Sequence, residues 1–133
     1  MKLTFQKDDL LNGINIVLKA VPSKTTMPIL ECILIDATTD IIKLTANDME
    51  LGIETKVEGS ILSKGKIALD AKLLSEIIRK LSGGESDITI ESDDKYNTTI
   101  TCDNSVFHIQ GKNGDEFSYL PFIEKDHFIC LSQ

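Results

Sequence analysis

Tryptophan is absent from this chain, and aromatic residues make up only 5% of it, so its core has to be assembled from Ile and Leu. No apolar run approaches the roughly 18 residues that a membrane-spanning helix needs. The opening MKLTFQKDDLL also lacks the apolar heart of a signal peptide. Cysteine is sparse. Cys32, Cys102 and Cys130 are an odd number, widely spaced in strand-like runs, and read as reduced core thiols of a cytosolic protein, not as a disulfide framework. Basic residues are outnumbered, 14 against 21 acids, for a net charge of −7. At 133 residues the chain fits one domain with a core large enough to need no cross-links.

The charge is sorted along the sequence. Residues 1–28 hold four lysines and two acids, and residues 29–62 hold two basic and seven acidic residues. Residues 63–82 hold five basic and two acidic residues, and residues 83–133 hold three and ten. The positive blocks contain the two segments with helical periodicity, and the negative blocks contain the strands. A domain whose helices alone are basic can present one positive surface to a polyanion and repel it elsewhere, which keeps nucleic acid in view despite the acidic total. Chance segregation on a solvated surface is the competing explanation.

Residues 2–6 alternate as a strand. Over 8–20 the period changes: Leu10, Ile14, Val17 and Val21 form an apolar stripe widened by Leu11 and Leu18, with Asp8, Asn12, Asn15 and Lys19 opposite. Asp8 and Asp9 suit the first turn of a helix, and the helix must stop before Pro22. Strands follow at about 29–36, 41–46 and 51–58, the first two joined by a turn at Thr38-Thr39-Asp40. After a Ser/Lys/Gly-rich linker at 59–65 the order restarts, with a strand at 66–69 and Asp70 as N-cap. The helix over 71–82 has a stripe of Leu74, Ile77, Ile78 and Leu81. Lys72, Ser75, Glu76, Arg79 and Lys80 are expected to face out, and Gly83-Gly84 ends the helix. Strands at about 86–92, 96–102 and 105–111 complete it, with turns at Asp93-Asp94-Lys95 and Asp103-Asn104.

The chain is thus β-α-β-β-β written twice with a period near 63 residues, without residue-level identity between the copies. The fold class is α+β, with two helices on one face of antiparallel sheet. Their polar stripes then combine into one surface carrying Lys19, Lys72, Arg79 and Lys80.

Sites for chemistry are few. Gly83-Gly84 follows a helix instead of preceding one, the wrong end for phosphate. His127-x-x-Cys130 lies in a strand pattern where residues three apart face opposite sides, and His108 has no Ser or Cys placed to be activated. The pairs Asp8-Asp9, Asp93-Asp94 and Asp115-Glu116 suit a helix start, a tight turn and a loop.

Three patterns carry a resemblance: Lys24-Thr25-Thr26-Met27-Pro28-Ile29-Leu30, Thr45-Ala46-Asn47-Asp48-Met49-Glu50, and Phe117-Ser118-Tyr119-Leu120-Pro121. With the repeated layout and the opening MKLTFQKDDLL, the chain resembles the N-terminal domain of the bacterial DNA polymerase III β subunit family, the sliding clamps. Lys24 stands where many relatives carry Arg, which keeps the charge and loses the guanidinium fork. Ser118 stands where relatives often have Pro.

The resemblance implies a clamp domain over residues 1–126, with 127–133 beginning the strand or linker into a second domain. It implies a three-domain subunit that forms a head-to-tail dimeric ring around double-stranded DNA, with no cofactor, no metal and no catalysis. DNA polymerase and clamp loader would bind mainly through other domains. Lys24 is carried over as a DNA contact by its place in the family loop; Lys72, Arg79 and Lys80 rest on helix geometry, with Lys19, Asn12 and Asn15 as weaker candidates. The strand at 105–111 would be the edge facing the third domain of a second subunit, with Phe107, Ile109 and Ile77 or Ile78 as an apolar patch. Two other readings stay open on the residues alone: an enzyme completed by a missing domain, and a protein-interaction module that never meets nucleic acid.

Overall fold

The computed structural model describes residues 1–21, 28–47, 52–81, 87–102, 105–115 and 128–131. The first unit runs β1 (Lys2–Gln6), α1 (Lys7–Val17), a 3-10 turn at Leu18–Ala20 and another at Pro28–Glu31, then β2 (Cys32–Ala37), β3 (Ile42–Asn47), β4 (Gly52–Val57) and β5 (Ser60–Ser63). The second runs β6 (Gly65–Asp70), α2 (Ala71–Lys80), β7 (Asp87–Ser92), β8 (Asn97–Cys102), β9 (Ser105–Gln110) and β10 (Lys112–Asn113). A last strand, β11, covers Phe128–Leu131.

The antiparallel strands divide between two sheets, and the two units exchange their first strands. One sheet has the order β5-β1-β7-β8-β9 and the other β10-β6-β2-β3-β4-β11. So β1 of the first unit lies in register against β7 of the second, from Lys2 opposite Glu91 to Gln6 opposite Asp87. Reciprocally, β6 lies against β2, from Cys32 opposite Asp70 to Ala37 opposite Gly65. Alternation in the sequence marks which side chains are buried, but it carries no information about which strand is the neighbour.

One strand lies where the sequence suggests otherwise. The segment read as a linker contains β5, which pairs with β1; its side chains are mostly exposed, so no alternation betrays it. Residues 128–131 form a strand that runs parallel to β4, from Phe128 opposite Gly52 to Leu131 opposite Thr55.

Both helices lie on one face, over a continuous core that joins Leu3, Phe5, Leu10 and Ile14 of the first unit to Ile67, Leu69, Leu74 and Ile78 of the second. Each of these side chains is essentially fully buried, and burial of a Leu or Ile contributes about 1.5–3 kcal/mol. Helix starts at Lys7 and Ala71 are 64 residues apart, and that shift superposes Leu3 on Ile67, Phe5 on Leu69, Leu10 on Leu74 and Ile14 on Ile78. The repeat therefore shows in apolar position, and at this shift two of the four pairs, Leu10 with Leu74 and Ile14 with Ile78, are also identical, which a reading at a period near 63 misses. Turns follow the expected chemistry. Asp36 Oδ1 accepts from Thr38 N at 3.0 Å, and Asp93 Oδ1 accepts from Lys95 N at 2.8 Å and Asn97 N at 2.9 Å. The Asn97 side-chain amide, aided by these backbone donors, holds the Asp93 carboxyl below the ordinary aspartate value.

Glycines mark the two corners where each unit turns into its short last strand. A Cβ at Gly59 would stand 2.5 Å from the Thr4 carbonyl oxygen and 2.9 Å from Phe5 Cδ1. At the equivalent Gly111 it would stand 2.6 Å from Ile67 Cδ1. Gly59→Ala is expected to destabilise the fold by about 1–3 kcal/mol, because backbone must move to admit the methyl. Chemical denaturation would report it as a lowered midpoint at constant slope; an unchanged midpoint would mean that the corner is loosely packed.

Candidate nucleic-acid interface

The surface opposite the core is made by α1 and α2. Leu10, Ile14 and Val17 point α1 inward, and Leu74, Ile77, Ile78 and Leu81 do the same for α2. What remains outside is Asp8, Asn12, Asn15 and Lys19 on and just after α1, and Lys72, Leu73, Glu76, Arg79 and Lys80 on α2. Asp70 Oδ1 accepts from Leu73 N at 2.9 Å, the expected cap, and fixes the turn that presents Lys72. Ser75 departs from expectation and is buried. One helical turn separates it from buried Ala71 and Ile78 on one side and exposed Lys72 and Arg79 on the other, and its small side chain falls inside that margin.

The two helices pack against each other. Lys7 Nζ, at the start of α1, donates to the Leu81 carbonyl at the end of α2, where a cation also suits the helix dipole. Across the seam, Arg79 Nη2 donates to Asn15 Oδ1 at 3.1 Å. These contacts fix the mutual angle of the two polar stripes. Sequence reasoning does not single out Lys7, whose signal is only a lysine at a helix start, the unfavourable end for a cation unless another helix terminates there.

Charge on this face differs from charge on the strands. Lys2 lies 3.9 Å from Glu91, Lys43 3.8 Å from Glu54, Lys64 3.5 Å from Asp40 and Lys66 2.6 Å from Asp115. Among the described residues, Lys19, Lys72, Arg79 and Lys80 make no such ion pair. Exposed pairs add little stability. They do cancel local field at those four lysines, while exposed Lys56 on β4 and Lys112 on β10 make no ion pair among the described residues, so the cations left for an external anion are grouped on the helices but not confined to them. Lys24, with the loop that carries it, lies outside the described residues.

The apolar patch expected beside β9 is corrected by burial. Ile77, Ile78 and Ile109 are 5%, 0% and 6% exposed and belong to the core, because the helix stripe and the inward side of β9 both face the sheets. Phe107 is half-buried against that core, while Val106 is 53% exposed on the other side of the strand. What survives is the ladder itself: β9 is an edge of its sheet. His108 is exposed on that edge, its Nδ1 3.4 Å from the Thr99 hydroxyl, a solvent-facing cross-strand pair. Among the described residues no group of three or more His, Cys, Asp or Glu side chains is arranged for a metal ion. A shallow polar recess of about 300 Å³ is lined by Thr4, Gln6, Asp9, Glu58, Ser60 and Asp87, with no histidine, cysteine or lysine beside the two hydroxyls to activate them.

Two packed helices carrying cations without ion pairs, backed by two sheets that exchange their first strands, define a DNA-clamp type of domain. The family described as DNA polymerase III beta subunit, N-terminal domain, matches residues 1–121, and the chain belongs to that family. It is 39% identical to the beta sliding clamp of Bacillus subtilis over 139 aligned positions, covering 98% of this chain and 36% of that protein. It is 37% identical to the beta sliding clamp of Synechocystis, covering 93% of this chain and 33% of that one. Among solved structures, a putative DNA polymerase III beta subunit from Eubacterium rectale superposes with a TM-score of 0.86 at 59% identity, over 93% of this chain and 33% of that one. The Bacillus subtilis sliding clamp gives 0.83 at 37%, over 94% and 34%. The chain therefore spans about a third of the length of these relatives.

Because Lys72 and Lys80 are exposed and unpaired, Lys72→Ala and Lys80→Ala are expected to change stability by no more than about 0.5 kcal/mol. Ile78→Ala is expected to cost about 2–5 kcal/mol through the cavity it leaves. Thermal or denaturant unfolding checks the contrast. Equal effects at Lys72 and Ile78 would contradict the division of α2 into core and solvent faces.

Proposed function

We propose that this chain is the first domain of a ring-shaped sliding clamp, a non-catalytic replication factor of the cytoplasm that encircles duplex DNA and tethers the replicative polymerase. The observation that carries this reading is the grouping of four cations without ion pairs, Lys19, Lys72, Arg79 and Lys80, on the helical face of a domain of this family. Lys72, Arg79 and Lys80, with Lys19, Asn12 and Asn15 around them and Lys24 in the preceding loop, meet backbone phosphates and read no base edges. Such contacts position a protein on DNA without specifying sequence. They are exchangeable because each phosphate is replaced by an equivalent one along the helix, so the ring slides. A clamp that gripped tightly would stall the polymerase it serves.

The rest of the mechanism lies in assembly. The free ladder of β9 pairs with the third domain of a second subunit in a head-to-tail dimer, and half-buried Phe107 closes the seam beside it. The acidic strands face outward and repel DNA from every surface but the channel. Residues 1–126 form this arc and 127–133 lead toward the next domain, while polymerase and clamp loader dock mainly on the other domains. A single arc offers few phosphate contacts and binds DNA at about 10⁻⁴ M or weaker at physiological salt, so the test belongs in the intact subunit.

Lys72→Ala combined with Arg79→Ala in the intact subunit is expected to lower the salt slope of DNA binding by roughly two units, about 0.9 for each phosphate no longer neutralised. Fluorescence anisotropy on a duplex across a salt series measures it. An unchanged slope with unchanged affinity would mean that these helices are merely solvated and that the chain serves protein–protein contacts alone.

A further inference from the structure

Asn15 has no charge of its own, yet it touches a cation of the other helix. Asn15 is the ninth residue of the helix starting at Lys7, and Arg79 is the ninth of the helix starting at Ala71. The Arg79 Nη2 to Asn15 Oδ1 contact at 3.1 Å therefore joins two equivalent positions across the seam between the two units. Its chemistry is unambiguous in direction, because a guanidinium only donates and the amide must present its oxygen. The other N–H groups of Arg79 have no partner among the described residues.

We propose that Asn15 is a positioning residue for Arg79, holding its guanidinium over the helix seam so that the remaining donors meet a backbone phosphate of duplex DNA. This rests on the nucleic-acid reading above and adds to it a reason for an amide at position 15. An exposed arginine samples many rotamers, and fixing one on binding costs affinity. A neighbour that fixes it beforehand removes that cost. An aspartate would hold it more strongly through a charge-assisted pair, but would cancel the charge that the phosphate requires. An alanine would leave the charge and lose the orientation. An asparagine orients without neutralising. Lys19, Lys72 and Lys80 share the exposed face and have no comparable acceptor among the described residues, so the ordered cation is Arg79.

The test compares Asn15→Ala, Asn15→Asp, Arg79→Ala and the Asn15→Ala/Arg79→Ala double variant in the intact subunit, with Asn12→Asp as a control for added negative charge on the same face. Binding to a duplex oligonucleotide is measured across a salt series, alongside thermal unfolding. Asn15→Ala is expected to weaken binding about threefold with the salt slope unchanged. Asn15→Asp is expected to weaken it further than Asn12→Asp does and to lower the slope by about one unit, as Arg79→Ala does. The double variant should match Arg79→Ala alone, since the two residues act as one unit. Independent, additive losses, Asn15→Asp no worse than Asn12→Asp, or an effect confined to unfolding temperature would each overturn the positioning role and leave the DNA-facing surface standing. No effect of Arg79→Ala would overturn both.

Discussion

The exchange of first strands is the constraint on which the remaining structure depends. Because β1 sits in the sheet of the second unit and β6 in the sheet of the first, neither unit can complete a sheet alone. The helices that follow those strands then lead from one sheet to the other, and they pack against each other on the way. Their contacts at Lys7–Leu81 and Asn15–Arg79 are consequences of that crossing. The glycine corners at Gly59 and Gly111 belong to the same device, since each lets a last strand turn tightly against the first strand of its own unit. A domain with one shared core and one helical face follows from the topology before any charge is considered.

Charge then decides what the face can do. The domain is acidic overall, and its field would repel a polyanion if cations were spread evenly. Instead, several strand lysines are neutralised by neighbouring acids, whereas the helix cations stay available. Few, exposed, unpaired side chains give weak and salt-sensitive contacts, which is the regime a sliding protein needs. Affinity in such a system comes from closure of the ring. The chemistry of the site and the topology of the assembly are in this sense separate, and only the first is written in these 133 residues.

Much of this is legible in the sequence, for identifiable reasons. The stripes Leu10/Ile14/Val17 and Leu74/Ile78/Leu81 repeat at the helical period, so both helices and their solvent faces follow from the sequence. Asp70 announces its cap, and Asp93 its turn. Strand pairing is illegible, because period-two alternation is blind to the identity of the neighbour. The strand at 60–63 is hidden because its side chains are nearly all exposed. Ile77, Ile78 and Ile109 read as interface residues because an apolar residue near an edge strand has the same sequence signature whether it faces its own core or a partner. Gly59 and Gly111 are visible as letters, but only the packing around their missing Cβ atoms gives them a role.

The most direct test of a topological clamp is retention on DNA of different closure. The intact subunit is loaded onto closed circular duplex, washed at elevated salt, and then followed after a single restriction cut. The account predicts that the protein stays on the circle through the wash and leaves once ends exist, since weak contacts cannot hold what the ring no longer confines. Retention after linearisation, or equal loss from circle and line, would contradict it.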